Sequence, residues 1–479
     1  MFLLNRRELF EQALFSSAAA IVCNRDSAHS EEAYPQANQS IRHAIIGSRI
    51  RGKAHGEEFA RIPGVEVAYV CDPDEMVSAQ LADQIESKRG RRPKTVRDMR
   101  YIFDDQSVDT VSIATPNHWH ALAAIWAMQA GKDVYVEKPV SHNIVEGRRM
   151  VQVARKTGRV CQVGTQNRSS GPLAEAAEFI QTGKLGELKL ARTVVYGHRG
   201  SIGGPGKCEI PPTLDFNLWL GPGSGIKPSR SKLHYDWHWV WDTGNGELGN
   251  NNIHMVDICR WLMGLTGLGE AVFSIGGRFG YGDAGETPNT QIVVHGFGPV
   301  TIIQEVRGLK SAPFDKPAKS GYVIYGEKGI FANETLFTPD GEVIKGFDRP
   351  GGNHFSNFID VVRSRRLQDL KADILEGHQS TGLCHVGNIS YRLGRPISAE
   401  RIGELRSFEA FGEPVRETLV GMLQHLNDNE IDLNKHPLTA GTVLKIDSSQ
   451  EKFVDSKEAD DLLGRAYRAP FNLPAESAI

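Results

Sequence analysis

The sequence predicts an α/β protein in two parts: an N-terminal doubly wound parallel sheet, then a C-terminal α+β domain with an open, mostly antiparallel sheet. Three observations predict it. From Ile41 to Val163 short apolar runs alternate with helical patterns, as a parallel sheet with crossover helices requires. A glycine-bounded turn, Gly47-Ser48-Arg49-Ile50-Arg51-Gly52, separates the first run from the first helical pattern. After Gly164 the text changes to long β-rich segments broken by turns, with few helices.

Taken in order, Ile41 to Ile46 reads as a strand, Gly52 to Arg61 as a helix, and Val65 to Cys71 as a second strand ending in Asp72. Val108 to Ala114 is a strand, Trp119 to Ala130 a helix, Val134 to Val136 a strand, Ile144 to Thr157 a helix and Val160 to Val163 a strand. Residues 41–163 thus form one dinucleotide-binding unit, a Rossmann domain. In residues 164–397 the β-rich segments Glu187 to Tyr196, Ala271 to Phe279, Gln291 to His295, Val300 to Val306 and Tyr322 to Tyr325 build the second sheet. Helical patterns return at Asn353 to Arg365 and Leu375 to Leu393, and residues 398–479 read as a helical extension ending in Ala469-Pro470-Phe471.

The charge balance, 55 Lys+Arg against 58 Asp+Glu with 40% hydrophobic residues, excludes a disordered or fibrous chain. It also argues against nucleic acid, since the only basic cluster, Lys88 to Arg92 with Lys94, is short and reads as a solvated loop. The six cysteines lie in no C-x-x-C pair and no zinc spacing, so neither a disulfide framework nor a metal is expected. Residues 1–40 carry Arg6-Arg7, an apolar run from Ala13 to Val22 and a polar exit, the pattern of a twin-arginine-like export signal and linker, which predicts a periplasmic protein; the alternative is a cytoplasmic one with a frayed N-terminal helix. Past that segment no apolar run is long enough to span a bilayer.

Between a strand and a helix, the turn Gly47 to Gly52 offers the backbone N–H groups of residues such as Arg49 and Ile50, and the helix N-terminus, to a pyrophosphate. Gly47 and Gly52 hold the outer glycine positions of G-x-G-x-x-G, and Arg49 stands at the middle one, where it either shifts the ligand or adds a cation to it. Asp72, at the end of the second strand, can accept both ribose hydroxyls of NAD and would repel the 2′-phosphate of NADP. Two more segments lie at strand C-terminal ends: Thr115-Pro116-Asn117-His118-Trp119-His120, and Glu137-Lys138-Pro139. Farther on stands Asn250-Asn251-Asn252-Ile253-His254-Met255-Val256-Asp257.

With these motifs the chain resembles the glucose-fructose oxidoreductase / inositol dehydrogenase / MocA (Gfo/Idh/MocA) family of NAD(P)-dependent oxidoreductases over residues 41 to 395. The resemblance implies that Lys138 contacts nicotinamide and substrate, where a cation would polarise a carbinol oxygen as hydride leaves. Their strand-end position sets Thr115, Pro116, Asn117, His120 and Glu137 beside the cofactor, and Gln166, after the last strand of the domain, within reach of its nicotinamide. The family's D-x-x-x-H places the general base at His254, but Asn250 replaces the acid; Asp257, one helical turn on, is the expected substitute partner for the imidazole. A sugar or polyol substrate and a homo-oligomer built on the second sheet are also implied.

Three of the seven tryptophans, Trp237, Trp239 and Trp241, alternate around His238 in a stretch suited either to stacking on a sugar ring or to strand packing. Arg168, after the last strand of the first domain, is a second candidate for substrate. His378 and His385 share a helical face and read as buried, hydrogen-bonded residues rather than metal ligands. The functional expectation is an NAD-dependent sugar or polyol dehydrogenase. Two alternatives stand beside it: a glycosidase or lyase that recycles its NAD through a transient keto-sugar, and a non-catalytic NAD or carbohydrate sensor.

Overall fold

Five of the six side chains in the first strand, β1 (Ile41–Ile46), are buried, as in a central parallel strand covered on both faces. In the computed structural model, which describes residues 40–206, 208–225, 229–230, 232–314, 321–404 and 412–476, β1 is followed by α1 (Ile50–Phe59), β2 (Val65–Cys71), α2 (Glu75–Arg89), β3 (Lys94–Val96) and α3 (Arg100–Asp104). Then come β4 (Thr110–Ile113), α4 (His120–Gln129), β5 (Asp133–Val136), α5 (Ile144–Thr157) and β6 (Cys161–Val163). The six strands pair in parallel in the order β3-β2-β1-β4-β5-β6. That order reverses between β1 and β4, the switch point at whose strand C-terminal ends an open α/β sheet places its ligand crevice.

The predicted export segment lies outside the described residues. The stretch between Pro73 and Asp109, unassigned from sequence, adds α2, β3 and α3. Within the basic cluster there, Lys88 pairs with Glu57, Arg91 with Glu66, and Arg92 with Asp83 and Glu86.

The second part contains α6 (Gly171–Gln181), β7 (Leu188–Tyr196), α7 (Phe216–Leu220), α8 (Ile253–Leu262), β8 (Ala271–Gly277), β9 (Thr290–Phe297) and β10 (Val300–Arg307). It continues through β11 (Gly321–Gly326), β12 (Gly329–Ala332), β13 (Thr335–Phe337), β14 (Val343–Gly346), α9 (His354–Ser364), α10 (Ile374–Arg392) and β15 (Arg395–Ile397). The sheet runs β14-β13-β12-β11-β7-β10-β9-β8-β16-β15, where β16 is Leu438–Ala440. Its pairs are antiparallel except β7 with β10.

Residues 398–479 are not simply helical. The helix α11 (Glu413–Asp428) is followed by β16 and β17 (Leu444–Asp447), which extend the large sheet through β8, then by β18 (Lys452–Phe453) and a short α12 (Lys457–Asp460). The chain then returns to the first domain, burying Phe471 against Trp119 and Trp126. α11 accounts for the helical pattern there, while the two- to four-residue strands are too short to leave one.

Two helices cover the faces of the large sheet. α10 joins both sheets: a Cβ at Gly377 would lie 2.4 Å from Val163, one at Gly382 2.4 Å from Leu268, and one at Gly387 2.7 Å from Val293, so three glycines along it permit the close approach. Its histidines are buried, His378 on Glu451 at 2.9 Å and His385 near the Ser141 hydroxyl at 3.4 Å. α11 lays Val415, Leu419, Met422 and Leu426 on the opposite face of the sheet, against Phe273, Ile275, Ile292, Val294 and Ile303. Among the described residues no helix is long and apolar enough to cross a membrane.

Candidate active site

The chain turns sharply as β1 ends. Gly47 has φ +89°, and a Cβ on it would stand 2.6 Å from the Ala114 backbone; a Cβ on Gly52 would stand 1.9 Å from the Gly47 carbonyl. No side chain fits at either end of this turn. The Ser48 N–H donates to one Asp72 oxygen at 2.9 Å and the Asp74 N–H to the other at 3.0 Å, which leaves each oxygen free to accept again. Burial pushes the Asp72 carboxyl up to about 6, against the pull of those two N–H groups. Arg49 is exposed with its charge acting on Asp72 and His234, and Ile50 is 68% exposed at the start of α1.

The loops after β4 and β5 lie beside this turn. His120 bridges them, one ring nitrogen 2.6 Å from the Pro139 carbonyl and the other 2.9 Å from that of Thr115. It is 1% exposed, so it positions the loops rather than touching a ligand. Pro116 is half-buried at the start of the loop, and the Asn117 amide donates across to Asn245. Glu137 is not free either: Arg51 at 2.6 Å, His55 at 3.0 Å and Gln166 at 3.3 Å all meet one of its oxygens. Burial opposes that charge, but the His55 and Arg51 contacts hold the carboxyl well below the usual range. Three buried atoms here have no partner: the Thr115 hydroxyl, the Asn117 carbonyl oxygen and the second Glu137 oxygen. Orphaned polar atoms at a strand-end crevice fit a ligand that would satisfy them.

Lys138 reaches out of the first domain into the second. Its amine donates to the Asn250 carbonyl at 2.7 Å, and burial lowers its pKa despite the adjacent Glu137. Residues 248–252 form one wide i→i+5 turn leading into α8, which carries His254. His254 is half-buried; desolvation and the Lys138 cation bring its pKa down to about 4, so the imidazole is neutral at pH 7.

Two expectations are corrected here, for Asp257 and for Arg168. Asp257 does not orient His254: it is 1% exposed and both its oxygens are taken by Arg168, at 2.8 to 3.1 Å, with Ser380 adding a hydroxyl at 2.6 Å. Arg168 therefore faces Asp257 and Glu376, not a substrate. Trp239 is 3% exposed beneath the Arg278 guanidinium, 4.8 Å from its ring, and Trp237 packs with Leu214, Trp219, Leu220 and Leu233. Trp239 is thus a packing residue, while Trp237 is half-buried. His238 between them differs: Nδ1 lies 3.3 Å from the Tyr235 carbonyl, while the buried Nε2 has no partner. Desolvation lowers its pKa to about 4, so Nδ1 carries the proton and Nε2 offers a lone pair.

The sequence reading missed Glu247, 3% exposed, which accepts from Arg199 at 2.8 Å and from the side chains of Asn250 and Asn251. Its signal was present: it is the only carboxylate between Asp242 and Asp257. Tyr235, 55% exposed and hydrogen-bonded to Arg199, is the accessible aromatic ring of this stretch. Residues 211–221 were also missed. They tie Asp74 (Thr213 hydroxyl, 2.7 Å) to Trp119, whose indole N–H donates to Leu218 and Trp219 carbonyls at 3.0 and 3.1 Å, and Arg468 of the tail grips the Gly221 carbonyl at 3.1 Å. This segment thus links the loop after β2 to the loop after β4.

Residues 41–165 match the model described as oxidoreductase family, NAD-binding Rossmann fold, and residues 205–406 match the same family's C-terminal alpha/beta domain. The chain belongs to the Gfo/Idh/MocA family. The crevice of this family member is accordingly an NAD-binding one. Levoglucosan dehydrogenase of Pseudarthrobacter phenanthrenivorans is 27% identical over 240 residues, 49% of this chain and 54% of that protein. A glycosyl hydrolase family 109 protein of Shewanella baltica is 28% identical over 203 residues, 39% of this chain and 44% of that one. The chain thus spans about half the length of the curated relatives it matches. The WlbA dehydrogenase of Chromobacterium violaceum, solved with NADH and UDP-GlcNAcA, shares the fold at a TM-score of 0.55 and 20% identity, over 75% of this chain and 96% of that one.

Proposed function

We propose that this Gfo/Idh/MocA protein is an NAD-dependent dehydrogenase of a sugar, polyol or glycoside hydroxyl. The observation that carries the reading is the meeting of Lys138 with the Asn250 turn, close enough to His254 to lower its basicity, at the C-terminal edge of the sheet that carries the NAD-binding crevice. Bound NAD supplies a hydride acceptor. The chain's residues do the rest: Asp72 accepts the ribose hydroxyls, and Gly47 and Gly52 let backbone approach the pyrophosphate. Lys138 donates to the carbinol oxygen and stabilises charge on it, while the neutral His254 imidazole takes the hydroxyl proton as the carbon gives up its hydride. The unpartnered His238 Nε2 accepts from a neighbouring hydroxyl, and Tyr235 supports the ring. The similarity to levoglucosan dehydrogenase favours a carbohydrate substrate.

A second reading is a redox-neutral glycosidase or lyase that returns the hydride to its own keto-sugar. The segment 211–221, tied to the loops after both β2 and β4, favours it, because a cofactor held beneath such a link would be slow to exchange. Incubation with a panel of anhydrosugars, polyols and aryl glycosides, followed at the reduced-nicotinamide band and by chromatography, separates the readings. Net NADH supports the dehydrogenase, glycoside cleavage without net NADH the recycling enzyme, and binding without either the sensor.

The Arg6-Arg7 segment supports export in folded form to the periplasm, for which a fusion reporter in twin-arginine-deficient cells is the test. A homo-oligomer, if formed, uses surfaces other than the β8 to β10 face, which α11 covers. Its mass in solution against the 52.8 kDa chain decides that point.

A further inference from the structure

The family's general base normally has an acid four residues before it, and here that place holds Asn250. We propose that Glu247 takes over this acidic role, as the positioning residue that sets both the location and the charge environment of Lys138. The carboxylate of Glu247 gathers the side-chain amides of Asn250, at 3.2 Å, and Asn251, which closes the wide turn on itself. Closed in this way, the turn presents the Asn250 carbonyl to the Lys138 amine. Gly249 permits the contact: a Cβ there would lie 2.9 Å from the Asn245 side chain and 3.5 Å from Pro139.

The same geometry explains why residue 250 is an amide. An aspartate at 250 would set a second carboxylate against Glu247 in a dry site, and two like charges so close cannot both stay ionised. Asn donates where Asp would repel, and its backbone carbonyl still serves Lys138. The acid has moved along the chain and the amide is its complement.

The charged groups facing Lys138 come from both domains: Glu137 and Arg51 from the first, Glu247 and Arg199 from the second. Arg51 and His55 already occupy Glu137. The Arg199 side chain is 31% exposed and screened by solvent, whereas that of Glu247 is 3% exposed, so the anion acts on Lys138 the more strongly of the pair. Burial is the first cause that lowers the imidazoles of His120, His238 and His254, and the Lys138 charge adds to it at each of them.

The assignment rests on the dehydrogenase reading for its catalytic consequence, but its test needs neither substrate nor turnover. Trace acetylation of the protein as purified, with the Lys138 peptide followed by mass spectrometry across pH, reports the ionisation of that amine. In Glu247→Gln the amine labels faster at a fixed pH, roughly three- to tenfold, because a nearby opposite charge is gone. In the double variant Glu247→Gln with Asn250→Asp, which exchanges acid and amide, labelling returns to within about twofold of the parent. Labelling unmoved in the first variant, or unrestored in the second while both melt like the parent, overturns the proposal. Should Glu247→Gln fail to fold, the double variant against the parent decides alone, with altered Lys138 labelling the refuting result. A silent sugar panel would defeat the dehydrogenase reading and leave this result standing.

Discussion

Asp72→Asn tests the nucleotide end of the crevice, and its size can be worked from the hydrogen bonds. The carboxylate takes one backbone N–H on each oxygen, from Ser48 and Asp74, and keeps a lone pair on each for a ribose hydroxyl. Asparagine has one acceptor oxygen, so its amide N–H₂ must face one of those N–H groups and cannot accept from the second hydroxyl. A charge-assisted hydrogen bond contributes about 1.5 to 3 kcal/mol net and an unsatisfied buried donor costs about 1 to 3 kcal/mol. The sum, about 2.5 to 6 kcal/mol, is a loss of roughly 10²- to 10⁴-fold in NAD affinity. The pH dependence is the sharper test. Burial places the parent carboxyl at about 6, and only the ionised form can accept both hydroxyls. Affinity is therefore full above pH 6 and falls, by about tenfold per unit, as pH drops below it. The Asn variant has no such group and is flat over that range. Calorimetric titration of cofactor-depleted protein with NAD measures both effects. A variant within twofold of the parent, or a parent whose affinity does not fall below pH 6, refutes the placement of the ribose at Asp72.

Lys138→Ala is expected to remove sugar oxidation while NAD binding stays within a few-fold, since the amine meets Asn250 and not the glycine turn; rapid-mixing and binding assays together check it. Trp239→Ala is expected to cost about 3 to 5 kcal/mol in urea unfolding, as a buried indole beneath Arg278. Tyr235→Ala should leave the unfolding midpoint unchanged and raise KM for the sugar. Glu146, buried between α5 and the returning tail, is pushed up to about 7 by desolvation, against bonds from the His142 N–H at 2.8 Å and the Tyr467 hydroxyl at 3.0 Å. Its folded pKa lies above the unfolded value, so its contribution is present in full below about pH 4.5 and is lost as pH rises through 7, by about 3 kcal/mol in all. Glu146→Gln is therefore expected to melt higher than the parent at pH 8 and no higher at pH 5.

The fold was legible where side-chain period and turn chemistry coincide. β1, β2 and α5 match their sequence readings residue for residue, because each is a fully patterned element bounded by a residue that can end it: Gly47 after β1, Asp72 after β2, and the αL cap Gly158 after α5. α2 escaped because its sequence is mostly polar around a narrow buried stripe of Val77, Leu81 and Ile85. The tail escaped for another reason. Phe471 and Arg468 acquire their meaning only from partners at Trp119 and Gly221, hundreds of residues earlier in the chain, and no local pattern encodes such a contact.

At the site, residue type was a good guide only where the side chain remained unpaired. Arg168 and Asp257 each have the chemistry of a site residue, yet they spend it on each other in the interior, and a sequence cannot show that two suitable charges cancel. Asn250 has the wrong side chain for the acid it replaces, but Lys138 binds its backbone carbonyl, a group every residue carries. A role transmitted through the main chain leaves no mark at the position that performs it; the mark falls on the residue that holds the turn. That residue is Glu247, and the run of glycine and asparagine around it is what a wide turn closed on one carboxylate requires: small residues where Pro139 and Asn245 approach, and amides where the carboxylate needs donors.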